Sequence, residues 1–214
     1  LWHEEYPITS IRVLAYLKLY ERARSEGYIV ILDGNGGDQT GGGFEYYFLS
    51  IVMDKFIKEG PGAGIDLFNQ FMDLYKVPTE RRLERLLGCM AATLTPGVCT
   101  QDGVPFVRPE FFSADFRNRH GDRRPDYPRP FDSHLLNSQY VDLMVHNQRR
   151  VLRMNDRTSM AVACEQREPI LDHNLVELGF GSAAEARVKG TDQRHYMREA
   201  AKKLLPEKIL RRPK

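Results

Sequence analysis

Tyr28-Ile29-Val30-Ile31-Leu32-Asp33-Gly34-Asn35-Gly36-Gly37-Asp38-Gln39-Thr40-Gly41-Gly42-Gly43 joins an apolar run to a loop crowded with glycines, acids and amides. The run lacks polar alternation, which predicts a parallel strand covered on both faces. The loop leads into a helix-like segment, Phe44 to Lys58. Buried strand, glycine-rich loop and helix bring backbone N–H groups and carboxylates to the carboxyl edge of an α/β sheet. A glycine-rich turn alone is weak support, so the rest of the chain has to carry the reading.

The chain has 214 residues, enough to bury a real core as one domain or at most two. Its 31 basic and 29 acidic residues nearly balance, which argues against an obligate nucleic-acid binder or a membrane-surface protein. Cys89, Cys99 and Cys164 have no metal spacing and read as reduced thiols of a cytoplasmic protein. No apolar run approaches the ~20 residues of a membrane span, and no signal peptide is visible. The chain opens at Leu1 in what already reads as domain interior, so a fragment is expected.

Outward from the loop, Ser10 to Glu26 predicts a helix. Ile11, Leu14 and Ala15 form its stripe, with Val13, Leu17 and Tyr20 widening it. Thr9 or Ser10 can cap it, and Gly27 sits where a helix closes. After the loop, one helix places Ile65, Phe68, Met72 and Tyr75 inward and ends by Pro78. The next, from Thr79, places Leu83, Leu86, Leu87 and Met90 inward and Arg81, Arg82 and Arg85 in water. From about 95 to 133 prolines and glycines recur, and an irregular surface insertion is expected. Arg117, Arg119, Arg123, Arg124 and Arg129 interleave there with Phe116, Tyr127 and Phe131, but Asp115, Asp122, Asp126 and Asp132 dilute an RNA-binding reading. One helix is expected from His134 toward Asn155, with Leu136, Tyr140, Leu143, Met144, Asn147, Val151 and Met154 near one face. Asp172 should cap a helix through Leu178. Thr191 or Asp192 should cap the last one, with Tyr196, Met197, Ala200 and Leu204 inward and Pro206 closing it. His3, His134, His146 and His195 form no metal constellation, and no internal repeat is visible.

Three blocks carry chemistry. The first is Gly34-Asn35-Gly36-Gly37-Asp38-Gln39, close to a G-x-G, small residue, D-E pattern. The second is Asp156-Arg157-Thr158-Ser159-Met160-Ala161 with Glu165-Gln166-Arg167-Glu168-Pro169-Ile170-Leu171-Asp172, close to D-R-x-S-M-A followed by E-x-R-x-P-F-L-D. The third is Arg194-His195-Tyr196-Met197-Arg198-Glu199-Ala200, then Leu205-Pro206-Glu207 and Arg211-Arg212-Pro213-Lys214, close to K-x-x-L-R-E-A, L-P-E and R-x-x-K. Together and in this order they resemble the synthetase domain of the asparagine synthase family, over residues 1 to about 60 and 134 to 214.

The resemblance implies an α/β fold: part of a parallel-sheet ATP-pyrophosphatase domain, adenine nucleotide alpha hydrolase-like and mostly helical over 1–214. It implies that a carboxylate, aspartate first among candidates, is adenylated by ATP and that ammonia from glutamine then displaces AMP. Such chemistry asks for Mg²⁺ on the leaving pyrophosphate and for cations that stabilise transition-state charge. Asp38 matches the loop aspartate that binds Mg²⁺, and Asn35 the variable position facing the acyl substrate. Gly34, Gly36 and Gly37 match positions where backbone approaches nucleotide or substrate. Arg194 matches the catalytic lysine. Glu165 matches an acid near the site, though a Glu–Arg pair with Arg167 is as readily structural. Asp156 and Arg157 are expected to lock their helix. Partners are small molecules, with neither nucleic acid nor membrane; a homodimer is compatible.

Four departures matter. Gln39 stands in place of Glu, and Arg194 in place of a lysine that could donate a proton. Glu168 and Ile170 replace Val and Phe. The family's S-G-G-x-D-S loop and its glutaminase domain do not occur in these 214 residues and are expected upstream, so inactivity of the piece by itself is expected. A β-lactam synthetase or lasso-peptide cyclase type, or a non-catalytic nucleotide-binding relative, stays open.

Overall fold

A computed structural model describes residues 2–5, 11–94, 112–120, 127–145, 147–210 and 212, with backbone alone over 88–94. The chain divides into two compact units, Leu1–Thr40 with Tyr140–Gly181, and Gly41–Gln139 with Ser182–Lys214.

In the first unit, helix α1 spans Arg12–Ser25. Its end closes with Gly27 N–H donating to the Arg24 carbonyl at 3.0 Å and Tyr28 N–H to that of Ala23 at 3.0 Å. These are the two crossed bonds that satisfy a helix's last carbonyls. The capping candidates Thr9 and Ser10 lie outside the described residues. Burial falls on Val13 and Tyr20, whereas Ile11, Leu14 and Ala15 are exposed, so the expected stripe is displaced around the helix. Tyr20 decides this: its hydroxyl donates to Gln166 Oε1 at 2.5 Å, which makes burial of the ring affordable for a polar tip.

Strand β1, Val30–Leu32, runs parallel to β2, Glu165–Arg167, with Val30 opposite Glu165, Ile31 opposite Gln166 and Leu32 opposite Arg167. Glu165 N–H to the Ile29 carbonyl at 2.7 Å and Asp33 N–H to the Arg167 carbonyl at 2.9 Å extend the ladder. The strand is there, but its predicted burial is not: Val30 is 49% and Leu32 71% exposed. Among the described residues β1 has a single strand neighbour, so its apolar faces are not enclosed.

The single helix expected from His134 is two, α7 at His134–Met144 and α8 at Asn147–Met160. The buried face of α8 is polar: Asn147, Gln148, Asn155, Thr158 and Ser159. Buried Glu4 accepts the Thr158 hydroxyl at 2.7 Å, and Arg157 pairs with Glu5 at 2.9 Å. These contacts anchor α8 to the first described residues. Asp172 caps the next helix, α9 at His173–Gly181, through the Asn174 N–H at 3.0 Å, as expected.

The second unit holds the larger apolar core. After α2, Gly37–Gly41, and a 3-10 turn at Glu45–Tyr47 come α3, Phe48–Glu59, α4, Pro61–Leu74, and α5, Thr79–Leu94. Phe48, Leu49, Ile51 and Val52 of α3 meet Leu67, Phe68, Phe71 and Met72 of α4, with Leu135 and Val188 closing the cluster. Each fully buried aromatic or aliphatic here contributes about 2 kcal/mol. Leu67 and Phe71 take the inward place expected for Ile65, which is half exposed. In α5 Leu86 packs inward while Leu83 and Leu87 face water. The arginines expected in solvent explain the rotation. Arg82 bonds the Val77 carbonyl at 3.2 Å and Asn69 Oδ1 at 3.3 Å, and Arg85 lies 5.9 Å over the Phe48 ring. Both guanidinium groups thus face neighbouring helices, Arg82 toward Asn69 of α4 and Arg85 toward Phe48 of α3. The side chain of Met90 lies outside the described residues.

Within the irregular stretch, Ala114–His120 is helical (α6), while 95–111 and 121–126 lie outside the described residues. The start of α7 is capped from a distance. Asp54 of α3, only 9% exposed, accepts the Ser133 hydroxyl at 2.5 Å and the N–H groups of His134 at 2.6 Å and Leu135 at 3.1 Å. Asp54→Ala would strand those three donors, one buried and two partly buried, and a loss of about 3 kcal/mol is expected in urea denaturation. A loss under about 1 kcal/mol would mean that water replaces the carboxylate.

The C-terminal part also departs from expectation. Short helix α10, Ala184–Arg187, leads into a hairpin of β3, Val188–Lys189, and β4, Asp192–Gln193, before α11 at His195–Ala201 and α12 at Glu207–Leu210. Asp192 therefore lies in a strand, and Arg194 takes the helix-start position. Asp192 still ties the helix down, meeting His195 Nδ1 at 2.8 Å and Arg198 Nε at 3.4 Å. Helix α11 ends before Leu204, which is 82% exposed, and Ala200 is exposed too. Among the described residues no helix is long and apolar enough to cross a membrane.

Candidate functional site

Because β1 and β2 are parallel, their carboxyl ends lie side by side, and the first two motif blocks meet there. The loop does not stay irregular: Gly37–Gly41 forms a turn of helix, α2, with Asp38 in its first turn. Thr40 drives this, donating both its N–H and its hydroxyl to the Gly36 carbonyl at 2.9 Å each.

Gly36 joins the blocks. Its φ is +89°, and a Cβ there would lie 2.1 Å from Leu171 Cδ2. Gly37 is in ordinary contact range of Ile170, at 3.6 Å, whereas Gly34 faces open space. Thus two of the three candidate glycines serve loop packing, and Gly34 alone is open on its Cβ side.

Beyond the strand ends lies a hydrogen-bond network that the sequence reading did not assemble. Asn35 donates its N–H to Asp33 Oδ1 at 3.1 Å and its Nδ2 to Glu168 Oε1 at 3.2 Å. Gln166 Nε2 donates to Asp33 Oδ2 at 2.8 Å and to Glu168 Oε1 at 2.6 Å. Gln166 Oε1 accepts from Tyr20. The available signal was the strand's period of two. Gln166 must face away from Glu165 and Arg167, on the side that leads to Tyr20. Glu165 and Arg167 form an ion pair with each other, with Arg167 exposed and Glu165 partly buried.

Burial pushes the Glu168 carboxyl above its ordinary range. The Asn35 amide opposes that shift, the Asp33 charge adds to it and Gln166 opposes it again. Burial likewise pushes the Tyr20 phenol up, which keeps it a donor. A raised carboxyl pKa in the folded state means that ionisation opposes folding. That contribution to stability is present below the ordinary carboxylate range and is lost as pH rises through the folded-state value. Glu168→Gln, neutral throughout, is expected to gain stability relative to the parent chain at about pH 7 and not at about pH 4, read from paired thermal melts. Equal differences at both pH values would contradict it.

Arg194 belongs to the second unit. It adopts φ +58° and ψ +32°, a left-handed conformation uncommon for a side chain of its size. Its N–H donates to the Gly41 carbonyl at 3.0 Å, and a Cβ on Gly41 would lie 2.9 Å from its Cγ. Gly41 is therefore the surface over which the Arg194 stem passes. Of the candidate residues, Gly34, Asn35, Gly36, Gly37, Asp38 and Glu165 fall in the first unit and Arg194 in the second.

Among the described residues no group of three His, Cys, Asp or Glu side chains could hold a metal ion. This donor set does not make a resident metal cage. It does fit Mg²⁺ arriving with a nucleotide, which needs only one or two carboxylates besides phosphate oxygens and water.

Compared with known proteins, the chain matches the family model described as Asparagine synthase over residues 1–214. No curated protein and no solved structure matches it. With its whole length covered by that model, the chain belongs to the asparagine synthase family.

Proposed function

We propose that this chain supplies part of the adenylating site of an ATP-dependent, amide-forming synthetase with an ATP-pyrophosphatase-type fold. The observation that carries the reading is the parallel pairing of β1 with β2, which sets the glycine loop beside the Glu165–Asp172 block at the carboxyl edge of the sheet. That edge is where α/β proteins bind ligands.

In this reading a substrate carboxylate oxygen attacks the α-phosphorus of ATP, and the bond to the bridging oxygen of pyrophosphate breaks. An amine nitrogen, from glutamine-derived ammonia, then attacks the acyl carbon; AMP leaves and the nitrogen loses a proton. Aspartate is the first candidate acid, which would make asparagine. Asp38, in the first turn of α2, would hold Mg²⁺, and the ion would neutralise charge on the departing pyrophosphate. Arg194 would face the phosphates as a fixed cation that forks onto oxygens but does not give up a proton. Asn35 would contact the acid, and Gly34 would leave room for it. Glu165, paired with Arg167, would position the strand edge.

A second reading, a relative that binds nucleotide without turnover, is favoured by Gln39, buried where the pattern has an acid, and by Arg194. ATP–pyrophosphate exchange on the full-length gene product, with Mg²⁺ and a panel of acids headed by aspartate, separates them. Exchange with aspartate supports the first reading. Exchange with another acid keeps the chemistry and moves the substrate. No exchange with any acid, from folded protein, sinks it in favour of the second.

A further inference from the structure

We propose that the second unit carries a small-molecule site of its own, which takes a zwitterion with an apolar body, an α-amino acid with an aliphatic side chain. This site is lined wholly by residues of the second unit, whereas the strand-end edge belongs to the first. The inference stands independently of the adenylation reading.

The cavity measures about 460 Å³. Small-molecule sites span about 300–1,000 Å³. Its floor is apolar and comes from four elements: Ile51 of α3, Leu67 of α4, Leu135 of α7 and Val188 of β3, each at most 8% exposed. All four belong to the core cluster of the second unit, so the packing of the core holds the floor in place without a ligand. The walls are charged, and most of that charge is already paired. Lys55 meets Glu59 at 2.5 Å, and Lys58 meets Glu185 at 2.7 Å. Asp54 is committed to the start of α7. Two opposite charges are left, Lys189 and Asp66, both exposed and both lining the cavity. Among the described residues neither side chain has a hydrogen-bond or ion-pair partner. Lys189 acts on Glu199 only at longer range, and Glu199 is bonded to Lys202 at 2.6 Å.

Those two charges select the ligand. A simple anion faces the Asp66 carboxylate, a simple cation faces the Lys189 ammonium, and a neutral apolar molecule strips water from both without replacing it. A zwitterion answers each: its carboxylate goes to Lys189, its ammonium to Asp66 and its side chain to the floor. Lys189 carries its charge on a flexible four-carbon stem, so it can reach a carboxylate held beside Asp66. Val188 gives the bound state a signature elsewhere in the unit. It opens β3, whose partner strand β4 ends at Gln193, immediately before Arg194. A ligand resting on Val188 therefore braces the hairpin and slows its local opening.

The test is binding of L-leucine to the full-length protein, followed by saturation-transfer NMR titration and by amide hydrogen exchange. Leucine should bind with a Kd below about 10 mM and slow exchange across the β3–β4 hairpin. Isocaproate, which is leucine without the ammonium, and isoamylamine, which is leucine without the carboxylate, should each bind about fivefold more weakly. Glycine, without the apolar body, should bind about thirtyfold more weakly. Asp66→Asn should weaken leucine about fivefold and leave isocaproate within about twofold. Lys189→Gln should weaken leucine equally and leave isoamylamine within about twofold. Both side chains are exposed, so the variants are expected to fold; should one not, the analogue series and the hairpin exchange of the parent decide. No leucine binding to folded protein at about 10 mM, binding without slowed exchange in the hairpin, an analogue as tight as leucine, or variants that hold leucine as the parent does would each overturn the inference. Absence of pyrophosphate exchange with any acid would overturn the adenylation reading and leave this binding result as it stands.

Discussion

Among the described glycines, Gly36→Ala is expected to be the most damaging addition of a single methyl group. Two costs combine at one atom. The backbone is at φ +89°, where a side chain costs about 1–2 kcal/mol. The new Cβ would also sit 2.1 Å from Leu171 Cδ2 and 2.5 Å from Leu171 Cγ. Cγ moves only when Leu171 turns about its Cα–Cβ bond, so with the backbone in place a shift of the side-chain tip alone does not clear the clash. That backbone is itself held, with Leu171 N–H on the Glu168 carbonyl at 2.9 Å, in the 3-10 turn Pro169–Leu171. Overpacking of this kind adds about 1–3 kcal/mol. A total near 4 kcal/mol is a large part of the 5–15 kcal/mol that typically separates folded from unfolded chains. Urea denaturation should show the midpoint falling with its slope unchanged. The double variant Gly36→Ala, Leu171→Ala should recover the steric share and not the backbone share, giving a coupling energy of about 1–3 kcal/mol. A Gly36→Ala loss under about 1 kcal/mol would mean that the loop and the Leu171 turn do not meet this closely.

The same contact shows what was legible in the sequence. The two blocks joined at Gly36 were recognisable as motifs, and the strand, the closure of α1 at Gly27 and the Asp172 cap each had a local signal. Local signals survive because they depend on residues within a turn of one another. What failed depended on partners far along the chain. The run Tyr28–Leu32 looks buried because nothing in it states how many strands lie alongside; with β2 as its single strand neighbour among the described residues, it is exposed instead. The inward face of α5 was misplaced because arginines count as polar, yet Arg82 bonds Asn69 and the Val77 carbonyl and Arg85 lies over the Phe48 ring. The turn of helix at Gly37–Gly41 ran against glycine's poor propensity and rests on Thr40 reaching back to Gly36. The hairpin before α11 did leave a mark, Gly190 followed by Thr191, but its strands are two residues each and present no alternation to detect. The network of Tyr20, Asp33, Asn35, Gln166 and Glu168 gathers three separate segments, which no spacing rule connects.

Arg194→Gly is expected to move stability and activity in opposite directions. Arg194 holds φ +58° without glycine's freedom, and such a conformation costs about 1–2 kcal/mol. Glycine at 194 would remove that strain. It would also uncover Gly41, over which the Arg194 stem now lies, so part of the gain is returned. A net stabilisation of about 1 kcal/mol in denaturant should remain. Under the adenylation reading the same variant loses the cation that meets the phosphates, and pyrophosphate exchange by the full-length protein should fall about 10²–10³-fold. Arg194→Ala separates the two effects: it keeps a side chain in the left-handed conformation, so exchange should fall as far with no gain in stability. If Arg194→Gly keeps exchange within about threefold, the arginine has no place in the chemistry. If it destabilises, packing over Gly41 outweighs the backbone, and the strain is a by-product of that packing. The expected combination, a more stable and inactive variant, would mean that the chain retains an unfavourable backbone conformation because the reaction needs a cation there.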